Sequence, residues 1–307
     1  MNKKDKPFKH IVIVGCGDIG QRVAKIWKNA GKLVFGLSRN KELLSYLRQQ
    51  HIHAIQIDLE QAETLAELSG RLSQQALIYY FAPPPTKGVE DTRITNFLSA
   101  LQIEHLPSQI IYISTSGVYG DQQGQLINED APVKPQVDRA KRRYDAEEQL
   151  RQWCELTNVS LTVLRVGGIY GPNRLPLQRL KDGIPMLHEN LSPHTNRIHA
   201  DDLAQVCVAA AKEVAFGKIY NVSDGTDSNM TAYFNTIADF TQLPRPPLVD
   251  WDEAEQTISK GMLSYLKESR RMDNTKMMKE LGVTLLYPTL EEGLKACELN
   301  LKDNSDL

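Results

Sequence analysis

The sequence predicts an α/β protein: a doubly wound parallel sheet followed by a smaller α/β lobe. Three observations carry that prediction. Strand-like and helix-like segments alternate from residue 9 to residue 165. The strand-like segments are short, continuous apolar runs, as strands covered on both faces must be. The first of them ends in a glycine cluster that opens a helix.

Taken in order, residues 9–14 (KHIVIV) read as a strand and 18–30 as a helix closed by Gly31. A strand at 33–37, a helix at 41–50 and a strand at 54–57 follow. Leu65, Leu68 and Leu72 recur at helical spacing within 61–73, and 76–81 is again strand-like, stopped by Pro83-Pro84-Pro85. Ile94, Phe97, Leu98 and Leu101 form one apolar helical stripe. Residues 109–113 give a strand, 138–156 a long charged helix and 160–165 another strand. Such alternation places every strand's carboxyl end on one edge, where ligands of these sheets bind. Past Gly171-Pro172 the pattern loosens, so a nucleotide-binding domain is expected over 1–170 and a substrate lobe over 171–307, with some interleaving.

Composition excludes several classes. Apolar residues make up 41% of the 307 and charged residues 24%, with a net charge of −2, which offers no electrostatic hold on nucleic acid or an anionic membrane. The basic opening, Met1 to Lys6, is not followed by an apolar stretch of signal-peptide length, and no run approaches the roughly 20 residues of a membrane helix. Cys16, Cys154, Cys207 and Cys297 lie far apart, without metal or disulfide spacing, and read as buried thiols of a cytoplasmic protein. No metal is expected.

Gly15-Cys16-Gly17-Asp18-Ile19-Gly20 fits G-x-G-x-x-G directly after a strand and at the start of a helix. In that context Gly15 permits the tight turn, Gly17 the approach of a pyrophosphate, and Gly20 close helix–strand packing. The segment reads as a Rossmann dinucleotide cradle. The second strand ends Ser38-Arg39-Asn40, with no carboxylate to grip a ribose 2′-hydroxyl. Ser38 and Arg39 suit a 2′-phosphate instead, so NADP is preferred, NAD remaining possible. Asp58 and Leu59 follow the third strand where adenine would lie, although Asp58 also suits an ordinary turn cap. Ala82 follows the fourth strand and precedes three prolines whose rigidity suits a fixed wall beside a bound cofactor.

Later segments resemble the extended short-chain dehydrogenase/reductase superfamily, in its epimerase/dehydratase branch. They are Ser114-Thr115-Ser116-Gly117-Val118-Tyr119-Gly120, Leu164 to Pro172, Asn196 to Ala204, Tyr220 to Asp224 and the tail from Arg270. The tight G-x-G-x-x-G departs from the G-x-x-G-x-x-G of most extended members and is similar to an atypical subgroup. The resemblance implies that Thr115, with Ser116 beside it, binds the substrate oxygen, and that Tyr220–Asp224 is a strand of the substrate lobe. It also implies a nucleotide-sugar-like substrate met by Tyr119, Asn173, Arg174 and Arg197, and homodimers formed through the helices after strands four and five.

The family's Tyr-x-x-x-Lys pair is not found. If Lys141 is the lysine, acting on substrate and on the cofactor ribose, Val137 stands at the tyrosine position. If Glu147 sets the register, Arg143 and Arg139 fill the two places. Either way the proton carrier is missing, because an unassisted phenol with a pKa of about 10 is a poor base and here is not even present. Three readings stay open: another carrier such as Tyr119 or Tyr170, hydride chemistry assisted only by Thr115 and Lys141, or a non-catalytic NADP(H)-binding regulator.

Overall fold

A computed structural model describes residues 8–68 and 72–303. Strands β1 (His10–Val14), β2 (Val34–Ser38), β3 (His53–Gln56), β4 (Ala76–Tyr80), β5 (Gln109–Thr115), β6 (Ser160–Val166) and β7 (Lys218–Val222) form one all-parallel sheet in the order β7-β6-β5-β4-β1-β2-β3. β1 and β4 are buried along their whole lengths because helices cover both faces, which explains their unbroken apolar sequences. Helices α1 (Asp18–Asn29), α2 (Lys41–Gln49), α3 (Ala62–Leu65), α4 (Thr92–Ala100) and α5 (Asp138–Thr157) supply most of the crossovers. The helix expected over 61–73 is interrupted: α3 passes into a 3-10 turn at Ala66–Leu68, and residues 69–71 lie outside the described residues.

The chain winds outward in both directions from β1, to β2 and β3 on one side and to β4, β5 and β6 on the other. The crevice above β1 and β4 is therefore the topological switch point, the usual ligand site of such sheets. A second lobe follows β6, beginning with α6 (Leu177–Lys181). Its own core gathers Leu180, Leu187, Phe234, Ile237, Val249, Leu263 and Leu294.

One segment is not where the resemblance implies. Residues 218–222 are the seventh strand of the large sheet, in register with β6 from Lys218 against Thr162 to Val222 against Val166. Tyr220 and Val222 are fully buried on one face of this strand and Asn221 on the other, so both faces are covered. Helix α7 (Ala200–Ala209) makes the return, packing on α1; Trp27 donates to the Tyr79 hydroxyl (2.9 Å), which donates to the Cys207 carbonyl (3.1 Å). The two parts thus interleave, and the chain re-enters the sheet after the second lobe has begun.

The Asn196–Asp202 block forms this junction. Asp202, buried at the start of α7, accepts the backbone amides of Leu286 (2.6 Å) and Tyr287 (3.0 Å) and so fastens the tail. His199 caps α7 by accepting the Asp201 amide (3.2 Å). Its ring lies between Tyr170 and Tyr287, and burial pushes its pKa down to about 4. No described helix is long and apolar enough to cross a membrane.

Because the folded-state pKa of His199 lies below its unfolded value of about 6.5, the unfolded chain takes the proton first. The stability owed to neutral His199 is complete above pH 6.5 and is lost as pH falls toward 4. Urea unfolding should show the advantage of wild type over His199→Gln shrinking by about 3 kcal/mol between pH 7 and pH 4. A constant difference would mean that His199 is not held neutral.

Candidate active site

The glycine cradle is built by contact as much as by turn geometry. Gly15 has φ +86°, and a Cβ there would stand 2.5 Å from the backbone nitrogen of Ala82, which closes the end of β4 onto Val14. A Cβ on Gly20 would crowd Ile13 and the Gly15 carbonyl at 3.1 and 3.2 Å, so helix and strand touch. On Gly17 a Cβ would meet nothing within 4 Å, and no side chain caps the helix that begins at Asp18 and Ile19. The start of α1 therefore presents backbone donors and free space together, the requirements of a dinucleotide phosphate.

Asp18 is engaged by two arginines, Arg22 (2.9 Å) and Arg174, and Arg22 also reaches Asp201. Burial raises the Asp18 carboxyl, but these cations outweigh it and hold it below the usual range. At the end of β2, Ser38 accepts the Asn40 amide (3.1 Å), while Arg39 is exposed and without an ion pair among the described residues. Asp58 accepts the Glu60 amide (3.0 Å) as a turn cap. The Leu59 side chain is buried in the core around Ile57 and Leu65, which leaves its backbone as the part this loop could present to a cofactor. Arg93 donates to the carbonyls of Pro83 (2.8 Å) and Pro84 (3.3 Å), fixing the proline wall.

Beside this wall lies a cleft of about 560 Å3, lined by the ends of β5 and β6, the first turns of α5, and segments of the second lobe. Thr115, Ser116, Arg174 and Arg197 all line it. Thr115 Oγ1 accepts the Gly117 amide (3.2 Å), and Ser116 Oγ accepts from Arg270 (3.4 Å). Arg197 stacks on Tyr233, 3.2 Å from the ring centroid; burial pulls its pKa down, and its Nε has no partner among the described residues.

Four expectations are corrected here. Lys141 points to solvent on the outer face of α5, 44% exposed, near Asp138 (3.8 Å), because Val137 is still extended backbone and the helix turns position 141 away from the cleft. Asn173 is exposed at φ +62° in a left-handed turn outside the cleft. Tyr119 is fully buried, donating to Asn221 (2.7 Å). Tyr170 is likewise buried, donating to the Thr289 carbonyl (3.2 Å). Burial raises the pKa of both phenols, so neither can serve as a base at the cleft.

The residues facing the cleft from α5 are Arg139, Ala140 and Arg143, two of them charged. Glu147 sets that rotation: it is buried, takes a bidentate pair from Arg165 (3.2 and 2.7 Å), and accepts the Ser114 hydroxyl. Positions four and eight residues earlier then share its face. The sequence reading also missed Arg270, Glu268 and Tyr265, brought in from the second lobe. The i, i+4 arginines leading to Glu147 were the available signal, disguised by a helix whose inner face is polar.

The family profile described as "NAD dependent epimerase/dehydratase family" matches residues 11–223. The chain belongs to that family. Protein YeeZ of Escherichia coli K12 is 22% identical over 290 residues, covering 92% of this chain and 97% of YeeZ. Among solved structures, a functionally unknown conserved protein from Silicibacter pomeroyi superposes with TM-score 0.79 at 26% identity, over 96% of this chain and 99% of that one. UDP-glucose 4-epimerase of Thermotoga maritima, solved with UDP-glucose, gives the same TM-score at 18% identity, over the same shares.

Within this family member, Gly15→Ala should cost about 2–4 kcal/mol of stability through strain and overlap. Gly17→Ala should stay within about 0.5 kcal/mol of wild type. Equal losses in chemical denaturation would refute the assigned contacts. Glu147→Gln, which leaves Arg165 buried without its partner, should lose about 3–5 kcal/mol in the same assay.

Proposed function

We propose that the chain is an NADP(H)-dependent enzyme of the epimerase/dehydratase kind, acting by hydride transfer on a carbonyl or hydroxyl substrate of nucleotide-sugar-like character. The observation that carries this reading is the cleft: two strand-end hydroxyls, Thr115 and Ser116, opening into a cavity whose charged lining is dominated by arginine.

A bound nicotinamide supplies the hydride donor or acceptor. The protein's share is positioning and charge. The open space at Gly17 and the uncapped start of α1 at Asp18, Ile19 and Gly20 suit the pyrophosphate, with Ala82 as the adjoining wall. Ser38 and unpaired Arg39 suit a 2′-phosphate. Since the Thr115 oxygen already accepts the Gly117 amide, its hydroxyl proton is left to donate to a substrate oxygen. Arg143, in the lysine's place, is a permanent cation that orients and stabilises negative charge and does not relay protons. The likeness to an epimerase solved with UDP-glucose supports a nucleotide-sugar-like ligand, for which Arg174 and Arg197 offer guanidinium donors.

One observation favours a second reading, a non-catalytic NADP(H)-binding regulator: position 139, where the proton-carrying tyrosine is expected, is arginine.

Equilibrium binding followed by nucleotide fluorescence tests the first step. NADPH should bind in preference to NADH, and Arg39→Ala should weaken NADPH by about tenfold or more. Binding of neither cofactor would end the enzyme reading. In a screen of nucleotide sugars and simple carbonyls, Thr115→Val should lower turnover at least about a hundredfold with NADPH affinity retained. NADPH binding with no turnover on any substrate would favour the regulator.

A further inference from the structure

We infer that the cleft contains an oxyanion site at the place of the missing Tyr-x-x-x-Lys pair: Arg139, Arg143 and Arg270, beside Thr115 and Ser116, take a carboxylate or phosphate on the reacting end of the substrate. The inference rests on the reading of this cleft as the substrate site, and it narrows the substrate to an acid.

The partners of these arginines point to it. Among the described residues the hydrogen bonds of Arg143 go to neutral groups, the Tyr112 hydroxyl (3.3 Å) and the Ile113 carbonyl (3.2 Å), with Asp91 acting on it by charge alone. Arg139 bonds the hydroxyl and carbonyl of Ser264 and lies over the Tyr265 ring, 3.6 Å from its centroid. Neither forms an ion pair among the described residues. Arg270 is buried and bonds the Gly120 carbonyl (2.8 Å), Glu268 (3.0 Å) and Ser116; its Nε has no partner among the described residues. Burial pushes the Arg270 guanidinium down, Glu268 opposes this, and nearby Arg139 adds to the lowering.

Three guanidinium groups therefore face one cavity whose described lining holds a single carboxylate, Glu268; Asp91 and Asp121 act on Arg143 and Arg270 from outside that lining. Three cations partly withdrawn from water outnumber the one carboxylate in the lining, and an anion from solution lowers the cost of that excess. Arg151, on the outer face of the same helix, shows the ordinary alternative: it is paired with both Glu148 (2.6 Å) and Glu155 (3.2 Å). The planar forks of arginine match the geometry of carboxylate and phosphate oxygens, whereas a neutral carbonyl or sugar hydroxyl would leave most of these donors unused.

The test is equilibrium titration of the full chain with inorganic phosphate and with malonate, at ionic strength held constant by sodium chloride. At least one anion should bind wild type, and the preferred one identifies the class. Arg139→Gln and Arg143→Gln should each weaken that anion by about tenfold or more, Arg139→Lys should weaken it less, and Arg151→Gln should leave it unchanged. Absence of binding by either anion to wild type, or binding indifferent to Arg139→Gln and Arg143→Gln, overturns the inference. NADPH binding measured in parallel separates this from the parent reading. A chain that binds NADPH but neither anion overturns this inference alone. A chain that binds an anion through Arg139 but no NADPH supports this inference against the cofactor assignment.

Discussion

The buried contact of Glu147 with Arg165 and Ser114 ties α5 to β5 and β6, and the character of the cleft depends on it. A buried ion pair contributes little net stability once desolvation is counted, but it is costly to misplace. Rotating α5 by one residue would leave Arg165 uncompensated and turn Glu147 toward apolar neighbours. The helix is thereby locked with Arg139 and Arg143 inward and Lys141 outward. What reaches the cleft follows from that lock, while the proline wall is held by Arg93 through the Pro83 and Pro84 carbonyls.

Charge in the two halves of the ligand edge is handled differently. At the cradle, Asp18, Arg22, Arg174 and Asp201 neutralise one another, leaving backbone donors as the main attraction. Across the cleft, positive charge is left in excess and partly withdrawn from solvent.

Much of the frame was legible in the sequence because its signals are local. Continuous apolar runs gave the strands, and Gly15 and Gly20 each met a steric demand that the glycine spacing announces. The site was legible only where position along a strand decides it, as for Thr115 and Ser116. Lys141 was misread because helix rotation is set by a partner, Arg165, on another strand. Tyr119 and Asn173 lie close in sequence to cleft residues, but one turns into a buried network and the other into an exposed left-handed turn. Arg270 arrives from far along the chain, and no periodicity foretells that meeting. Nor did local pattern separate β7 from the second lobe, since a buried strand looks alike in either sheet.

That seventh strand has a bearing on how the protein is made. Synthesis delivers β1 through β6 by residue 166, yet β6 then has an open flank until residues 218–222 emerge. During that interval the nascent sheet exposes unpaired backbone and the apolar faces that α7 will later cover, the kind of edge that recruits other strands. A fragment cut at the end of the glycine-bearing half would keep this exposure permanently. The large sheet is therefore complete only past Val222, and the residues between β6 and β7 are inserted into it rather than appended to it.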